Sequence, residues 1–229
     1  FQLGDGDLAM HVMRSHRLRA GDSLSEITAD LARSLDVGAD ILPMADEAVR
    51  TQLETGGGLL DFQDYFVRLR AEPVISGIRY QGAGAARVTA GVARALGRDD
   101  LGAIVIAPSN PLISIEPILA VPGMRAAIRA AGVPVVAVSP IIRGAAVKGP
   151  TAKMLAELGE GATATAVLRR YRDLIDGFIV DEADLAGLEG VADGVTLIGA
   201  DVMMRSLDDR ERLARTAIET AHMIKGQRA

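Results

Sequence analysis

The sequence of 229 residues contains no cysteine and no tryptophan, and aromatic residues make up only 3% of it. The absence of cysteine excludes disulfides, thiolate metal sites and a cysteine nucleophile from these residues, and it favours a reducing, cytoplasmic setting. The 30 acidic residues outnumber the 25 basic ones, and the basic residues form no cluster. Together with the scarcity of aromatic side chains for base stacking, this disfavours nucleic-acid binding.

Long hydrophobic runs are also missing. The apolar stretches "AIVIA" and "VPVVAV" are far shorter than a membrane span, and the N-terminus lacks the features of a signal peptide. No repeat, linker or low-complexity tract occurs, so we predict a single domain over residues 1–229 that does not associate with a membrane. Because the sequence begins at Phe1, we also expect the natural chain to begin further upstream.

The second half of the sequence alternates apolar strands with helices. Strands are predicted at Ala103 to Ala107, at Val135 to Val138, and in the segments "DGFIV" and "GVTLIG". Near-continuous apolar runs of this kind are typical of parallel strands that are buried on both faces. We therefore predict an α/β, Rossmann-like, doubly wound and mainly parallel sheet with helices on both faces. A final helix, capped near Ser206, carries an apolar stripe of Leu213, Ala217, Ala221 and Ile224.

The first half predicts one clear helix and a small hairpin insertion. Ser23 and Glu26 form a capping-box pattern ahead of a helix with one apolar face. That face consists of Leu24, Ile27, Leu31 and Leu35. Residues 48–66 read as a strand, a glycine turn at 56–58, and then a second strand or short helix that carries Phe62 and Phe66.

In a doubly wound sheet, ligands bind beyond the carboxyl ends of the strands. Ser109 and Asn110 follow the first predicted strand of this sheet, with Pro111 next in the chain. Asn110 is a good helix N-cap, and proline is favoured at the first helical position. The segment is either an anion site at a helix N-terminus or a simple cap.

The loop after the next strand contains Ser139, Lys148 and Gly149, and Pro150 then begins a helix. A lysine beside a glycine and a helix N-terminus suits a phosphate contact, although surface lysines are commonly just solvated. The order of residues does not match a Walker A loop.

Acidic residues and histidines give weaker signals. Asp181, Glu182 and Asp184 follow the third strand, where they could orient a ribose or a metal, or form a polar loop. The histidines His16 and His222 are assigned to the surface. His11 follows Asp7 by four residues, so the two would share a helical face, which keeps His11 as a candidate.

The opening segment contains Gly4, Gly6 and Ala9 in the spacing of the dinucleotide-binding fingerprint. That match is weak, because Asp5 and Asp7 would place negative charge where a pyrophosphate should lie. The two carboxylates could instead help to hold a divalent cation or accept hydroxyl donors from a polar substrate.

Several segments, in order, resemble one family. They include "LGDGDLAMH", "LSEITADLA", "DFQDYFVRLR", "PSNPLISIEPILAVPGMR" and "VSPIIRGAAVKGPTAKM". Together they resemble the 2-phospho-L-lactate transferase family, which includes actinobacterial phosphoenolpyruvate transferases. The resemblance covers nearly the whole chain and depends on the order of the segments.

The resemblance implies an enzyme of coenzyme F-420 biosynthesis. Such an enzyme transfers a phospholactyl or phosphoenolpyruvyl group from a guanosine diphosphate-linked donor to the deazaflavin Fo and releases GMP. It also implies Mg²⁺ as cofactor and a homodimer. The alternative is a non-catalytic, nucleotide-sugar-binding regulatory protein of the same fold superfamily, whose "GPGS" turn is replaced here by "PSNP".

The family motifs can be carried over residue by residue. The resemblance implies catalytic roles for Asp5 and Asp7 and acceptor contacts for Gln2, Gly4 and His11. It places phosphate or nucleotide contacts at Ser109, Asn110, Ser139, Lys148 and Gly149.

Two departures from the family pattern stand out. Gly6 replaces a common arginine, and the family's glycine-rich "GGTG" loop and its Mg-binding acids are missing. We therefore expect the main metal ligands upstream of Phe1, and no activity from these residues alone.

Overall fold

The computed structural model describes residues 3–146, 149–188 and 190–228. The α-helices are α1 (Asp5–Ala20), α2 (Leu24–Ser34), α3 (Ala90–Leu96), α4 (Glu116–Leu119), α5 (Met124–Ala130), α6 (Thr151–Glu157), α7 (Ala164–Tyr171) and α8 (Leu207–Arg228). The β-strands are β1 (Arg50–Thr55), β2 (Gly58–Asp61), β3 (Ile75–Gln81), β4 (Ile104–Ile106), β5 (Val135–Val138), β6 (Ile141–Ile142), β7 (Ala145–Ala146), β8 (Gly177–Val180) and β9 (Thr196–Gly199).

The main sheet is parallel and has the strand order β4-β5-β8-β9. Its four strands are the four that the apolar runs predict. β5 has the predicted bounds, whereas β4 is one residue shorter at each end than predicted. The central strands β5 and β8 are buried along their whole length, as expected for parallel strands with both faces covered.

Helices cover both faces of this sheet, as predicted. Val135 and Ala137 of β5 pack into a larger core that includes residues of α5, α6 and α7. Val136 and Val138 point to the opposite face, because side chains alternate along a strand, and they pack against α8. The two faces of one strand therefore belong to two separate hydrophobic clusters.

Helix α8 has the predicted cap and apolar stripe. The Ser206 hydroxyl accepts a hydrogen bond from the backbone N–H of Asp209 at 3.2 Å. The residues of the predicted stripe, Leu213, Ala217, Ala221 and Ile224, are all buried. A Cβ on Gly177 of β8 would lie only 2.9 Å from Ile224 Cδ1, so the absence of a side chain there lets α8 approach the sheet closely.

The insertion is a three-stranded antiparallel sheet with the order β2-β1-β3. The predicted hairpin of β1 and β2 is confirmed, with Thr55 paired to Gly58 across the turn. The third strand, β3, was not predicted, and it pairs with β1 on the other side. A π-helical segment, Asp64–Arg68, follows β2 and carries Phe66.

Near the N-terminus, the capping box of α2 is confirmed. The Glu26 carboxylate accepts from the backbone N–H of Ser23 at 2.9 Å, and the Ser23 hydroxyl accepts from the N–H of Glu26 at 3.2 Å. In contrast, Gly4 is the N-cap residue of α1, and Gly6 and Ala9 lie inside this helix. This helical placement does not support a dinucleotide-binding loop, whose glycines form the turn ahead of a helix.

Within the described residues, no single helix combines the length and the apolar character needed to cross a membrane. Two neighbouring segments, Pro111–Leu119 and Met124–Ala130, reach that length only together, and they are bent by 77° relative to each other.

Candidate functional site

A crevice of about 440 Å³ lies beyond the carboxyl ends of β4 and β5. Residues 108–110 line it after β4, Ser139 and Pro140 line it after β5, and residues 149–151 line it at the start of α6. This is the edge of a parallel sheet where ligands are expected. Of the five residues predicted to contact phosphate or nucleotide, Ser109, Asn110, Ser139 and Gly149 line this crevice, and Lys148 lies outside the described residues.

Asn110 has the capping role that the sequence predicts. Its side-chain oxygen accepts a hydrogen bond from the backbone N–H of Leu112 at 2.9 Å. The turn that follows, Pro111–Ile115, is π-helical rather than α-helical, and π-turns occur frequently at functional sites. Because the oxygen is committed to the cap, the amide nitrogen is the group that Asn110 can offer to a ligand. That nitrogen has only a weak contact with Met154 Sδ, at 3.8 Å.

The hydroxyls of Ser139 and Thr151 differ in what they can offer. Ser139 is only 1% exposed, and its hydroxyl accepts from Ile141 N–H at 3.2 Å and donates to Ile141 O at 3.1 Å. Thr151 is 2% exposed and lines the crevice, and its hydroxyl has no hydrogen-bond partner within the described part of the chain. Thr151, which was not among the predicted site residues, therefore adds a further hydroxyl to the lining of the crevice. Its position directly after "KGP" was the available signal.

Arg210 supplies positive charge to the crevice. It lies near the start of α8. Among the described lining residues, Arg210 is the one with a charged side chain, and none carries a carboxylate. No ion pair of Arg210 occurs among the described residues. A basic residue near a helix N-terminus opposes the helix dipole, which is a sequence signal for a role outside the helix. Arg210 was not among the predicted site residues.

An aromatic pair forms the apolar end of the crevice. The rings of Phe62 and Phe66 stack with their centroids 5.4 Å apart and their planes within 9° of parallel. Ile113 and Met204 also line the crevice. The site therefore combines an apolar, aromatic end with a polar end that carries hydroxyls, an amide and a guanidinium.

A partly buried charged network supports the π-turn after Asn110. The Tyr80 hydroxyl donates to Leu112 O at 2.6 Å. Glu116 lies at the end of the same turn, 3.5 Å from Arg125 and 3.9 Å from Arg170. Burial raises the pKa of Glu116, and the two guanidinium groups oppose that rise. The network fixes the backbone that carries Asn110 and Ser114 into the crevice.

The predicted residues near the N-terminus lie elsewhere. Gly4 is the N-cap residue of α1, and Asp5 and Asp7 lie in its first turn, where their charges favour the helix dipole. His11 is exposed on the same helix, with its Nδ1 3.4 Å from an Arg14 guanidinium nitrogen. None of these four lines the crevice in the described structure, and Gln2 lies outside the described residues. Their predicted roles are left untested by this placement.

Of the acidic residues after β8, Asp181 directly precedes a short 3₁₀-helical segment, Glu182–Leu188, which contains Glu182 and Asp184. Asp184 accepts hydrogen bonds from Arg143 N–H, the shorter at 2.9 Å, and Asp181 accepts from Ala183 N–H at 3.1 Å. Throughout residues 3–146, 149–188 and 190–228, no three acidic or histidine side chains gather closely enough to hold a metal ion. Because Mg²⁺ is commonly held by one or two carboxylates together with substrate phosphates, its binding stays a prediction.

The fold and this crevice define an α/β protein whose parallel sheet presents a mixed aromatic and anion-suited ligand site at its carboxyl edge. Residues 1–210 match the family "2-phospho-L-lactate transferase CofD". The chain belongs to this family of transferases, as its sequence segments predicted.

Similar proteins carry two different names. The chain is 42% identical to a phosphoenolpyruvate transferase of Streptomyces griseus, over 98% of this chain and 72% of that protein. It is 37% identical to a 2-phospho-L-lactate transferase of Methanosarcina mazei, over 95% of this chain and 71% of that protein.

Solved structures of similar fold come from Bacillus halodurans. A member of the UPF0052 family superposes with a TM-score of 0.60, covering 90% of this chain and 70% of that one. A second crystal structure from the same organism gives a TM-score of 0.66, covering 95% and 75%. Both are 17% identical to this chain, so they confirm the α/β fold and nothing further.

Proposed function

We propose that the protein transfers a phosphoenolpyruvyl or 2-phospholactyl group from a guanosine diphosphate-linked donor to the deazaflavin Fo, with release of GMP. The observation that carries this proposal is the crevice after β4 and β5, which contains the family's "PSNP" segment. Membership of a transferase family and the printed names of the relatives support it.

The composition of the crevice suits an anionic ligand. Thr151 and Ser109 bring hydroxyls, Asn110 brings an amide nitrogen and Arg210 brings a guanidinium, while the described lining residues include no carboxylate. Guanidinium and hydroxyl groups are common ligands of phosphate oxygens. Among the described lining residues, no carboxylate is present that would balance a cationic group of a substrate.

The proposed reaction forms one phosphorus–oxygen bond and breaks another. A ribityl hydroxyl of Fo attacks the phosphorus that bears the lactyl or enolpyruvyl group, and the bond from that phosphorus to the GMP moiety breaks. The hydroxyl proton passes to solvent, and GMP leaves with the electron pair of the broken phosphorus–oxygen bond. Such a transfer depends on positioning and on neutralising phosphate charge, which are roles that Arg210 and the crevice hydroxyls can fill.

Other parts of the proposal remain predictions. Asp5 and Asp7 are proposed to position the acceptor or support a metal, with Gln2, Gly4 and His11 as acceptor contacts. Mg²⁺ dependence, a homodimer and a cytoplasmic location are further predictions from the resemblance. Where bound, Mg²⁺ would help to neutralise the phosphate charge of the donor.

The direct test is a turnover assay with the full natural chain. We expect GMP and Fo bearing the transferred phospholactyl or phosphoenolpyruvyl group in equal amounts, measured by mass spectrometry, when Fo is mixed with one of the two guanylylated donors. Comparison of the donors decides which group is transferred. Tight binding of GDP with no GMP release from either donor would favour the non-catalytic alternative. In the same assay, unchanged kinetics for both Asp5→Asn and Asp7→Asn would exclude catalytic roles for these carboxylates.

A further inference from the structure

The aromatic pair at the apolar end of the crevice has an open ring face. The chain contains only four Phe and three Tyr residues, yet two of these seven line the same crevice. Phe62 is partly buried and packs against the larger core, whereas Phe66 is 37% exposed. Nearly parallel rings with centroids 5.4 Å apart are offset-stacked, a favourable geometry for aromatic groups. Phe66 therefore stacks on Phe62 and remains exposed where it lines the crevice.

The backbone that presents Phe66 is unusual. Phe66 lies in the π-helical segment 64–68, and two consecutive non-glycine residues with left-handed backbone follow shortly after it, Arg70 at φ 51° and Ala71 at φ 57°. Left-handed conformations cost energy for residues with side chains, and such strain concentrates at ligand-binding sites. Ala71 N–H donates to Tyr65 O at 2.8 Å, which holds the strained end against the segment.

Tyr65, next to Phe66, connects the π-helical segment 64–68 to α6, which begins at the polar end of the crevice. It is fully buried, and Lys153 of α6 donates to its hydroxyl at 3.4 Å and to Pro73 O at 2.9 Å. Lys153 lies two residues after Thr151, which lines the crevice. The aromatic pair is therefore held in a fixed position relative to the groups that suit a phosphate.

We propose that Phe66, backed by Phe62, is a stacking platform for the planar heteroaromatic ring of a ligand whose phosphate or hydroxyl tail reaches Thr151 and Arg210. A crevice of about 440 Å³ is within the size range of pockets for small organic ligands. The identity of the ring rests on the proposed function. Guanine of the donor and the deazaflavin ring of Fo are both fused and planar, so they share the chemistry that a phenyl face recognises.

The test measures binding of each ring-bearing ligand separately. Isothermal titration of Fo and of GDP is carried out on the parent protein and on the Phe66→Leu variant, which keeps apolar bulk but loses the ring face. We expect about tenfold weaker binding of one of the two ligands, the usual scale for loss of one stacking contact. The affected ligand identifies which ring stacks on Phe66. Phe66→Trp should restore that affinity.

Val67 provides a matched control, because it lies in the same π-helical segment as Phe66. Val67 is 40% exposed and does not line the crevice, so Val67→Ala should leave both affinities unchanged. Unchanged binding of both ligands by Phe66→Leu would overturn the proposal. The proposal would also be overturned if Phe66→Leu weakened the binding of both ligands equally and Phe66→Trp failed to restore it. That pattern would indicate a structural role for Phe66.

A spectroscopic readout keeps the proposal testable if Phe66→Leu fails to fold. The sequence has no tryptophan, so Phe66→Trp adds emission that reports on position 66. We expect GDP or Fo to quench this tryptophan emission, with half of the effect reached at the Kd of that ligand. If neither ligand quenches the emission, the proposed stacking on residue 66 is contradicted. Failure of the proposed function is a different result: the rings would bind as expected, but no GMP would be released from either donor.

Discussion

Arg210 brings a guanidinium into a crevice whose other described polar groups are neutral. We expect Arg210→Ala to weaken binding of GDP by about 1 to 2 kcal/mol, or about fivefold to thirtyfold in Kd. That is the scale of a hydrogen bond to a charged group, reduced for an exposed side chain. Isothermal titration at constant ionic strength measures the change, because screening by salt weakens such contacts.

The control for Arg210 lies on the same helix. Arg215 of α8 is also exposed but does not line the crevice, so Arg215→Ala removes the same net charge without removing the local contact. Equal loss of affinity in both variants would mean that only the overall charge of the protein matters. Arg210→Lys should recover part of the affinity, since it keeps the charge but not the planar geometry.

Individual site residues were predictable where their role is local. The cap at Asn110 depends on neighbours within two residues, so the sequence alone identified it, and the contact to Leu112 confirms it. Arg210 follows Asn110 by about a hundred positions and reaches the crevice only because α8 packs beside β5 and β8. The stacking of Phe62 on Phe66 required a π-turn, which has no reliable signature in sequence.

At the scale of elements, the start of α8 controls where Arg210 points. The Asp209 carboxylate accepts hydrogen bonds from the backbone N–H groups of Arg205 and Ser206, at 2.9 and 3.0 Å. These bonds, with a further one from Arg212, lower the pKa of Asp209 to about 2. The usual value for an aspartate in an unfolded chain is about 3.9.

The sign of this pKa shift predicts a loss of stability in acid. The folded state favours the charged carboxylate, so its contribution is complete above about pH 4 and disappears as the pH falls towards about 2. We expect Asp209→Asn to be less stable than the parent protein at pH 7, and the difference to shrink across that window. Urea unfolding at pH 7, 4, 3 and 2.5 measures the free energies of unfolding.

Asp208 provides the matched comparison for the cap. It lies in the same turn of α8, but its carboxylate makes no hydrogen bond within the part of the chain that the structure describes. Asp208→Asn should therefore follow the parent protein across the acid window. If Asp209→Asn and the parent protein instead lose stability in parallel from pH 4 to 2.5, the cap does not have the assigned role.

Helices and strands were predictable where their burial produces a regular pattern of apolar residues in the sequence. β5 and β8 are buried on both faces, so unbroken apolar runs marked them, and the stripe on α8 marked its buried face. β3 has an irregular mixture of buried, half-buried and exposed residues and includes Gly77, so no apolar run in the sequence predicts it. It forms because β1 offers a free edge for pairing, which is a tertiary effect.

At the scale of the whole molecule, the crevice joins parts that are otherwise separate. The insertion contributes Phe62 and Phe66, the sheet contributes the segment around Asn110 and the turn after β5, and α8 contributes Arg210. A ligand that touches all of them can be bound only when these parts are folded together. Binding should therefore stabilise the cooperative fold rather than one local segment.

This linkage predicts how GDP affects unfolding. At a free concentration about 100 times its Kd, GDP should raise the free energy of unfolding by about 2.7 kcal/mol if the unfolded chain does not bind it. Thermal unfolding followed by circular dichroism should then give a higher Tm in one transition. Arg210→Ala should need more GDP for the same shift, in proportion to its Kd, whereas Arg215→Ala should match the parent protein. A shift that is identical in all three proteins would place GDP outside the crevice, because a site that includes Arg210 must respond to its removal.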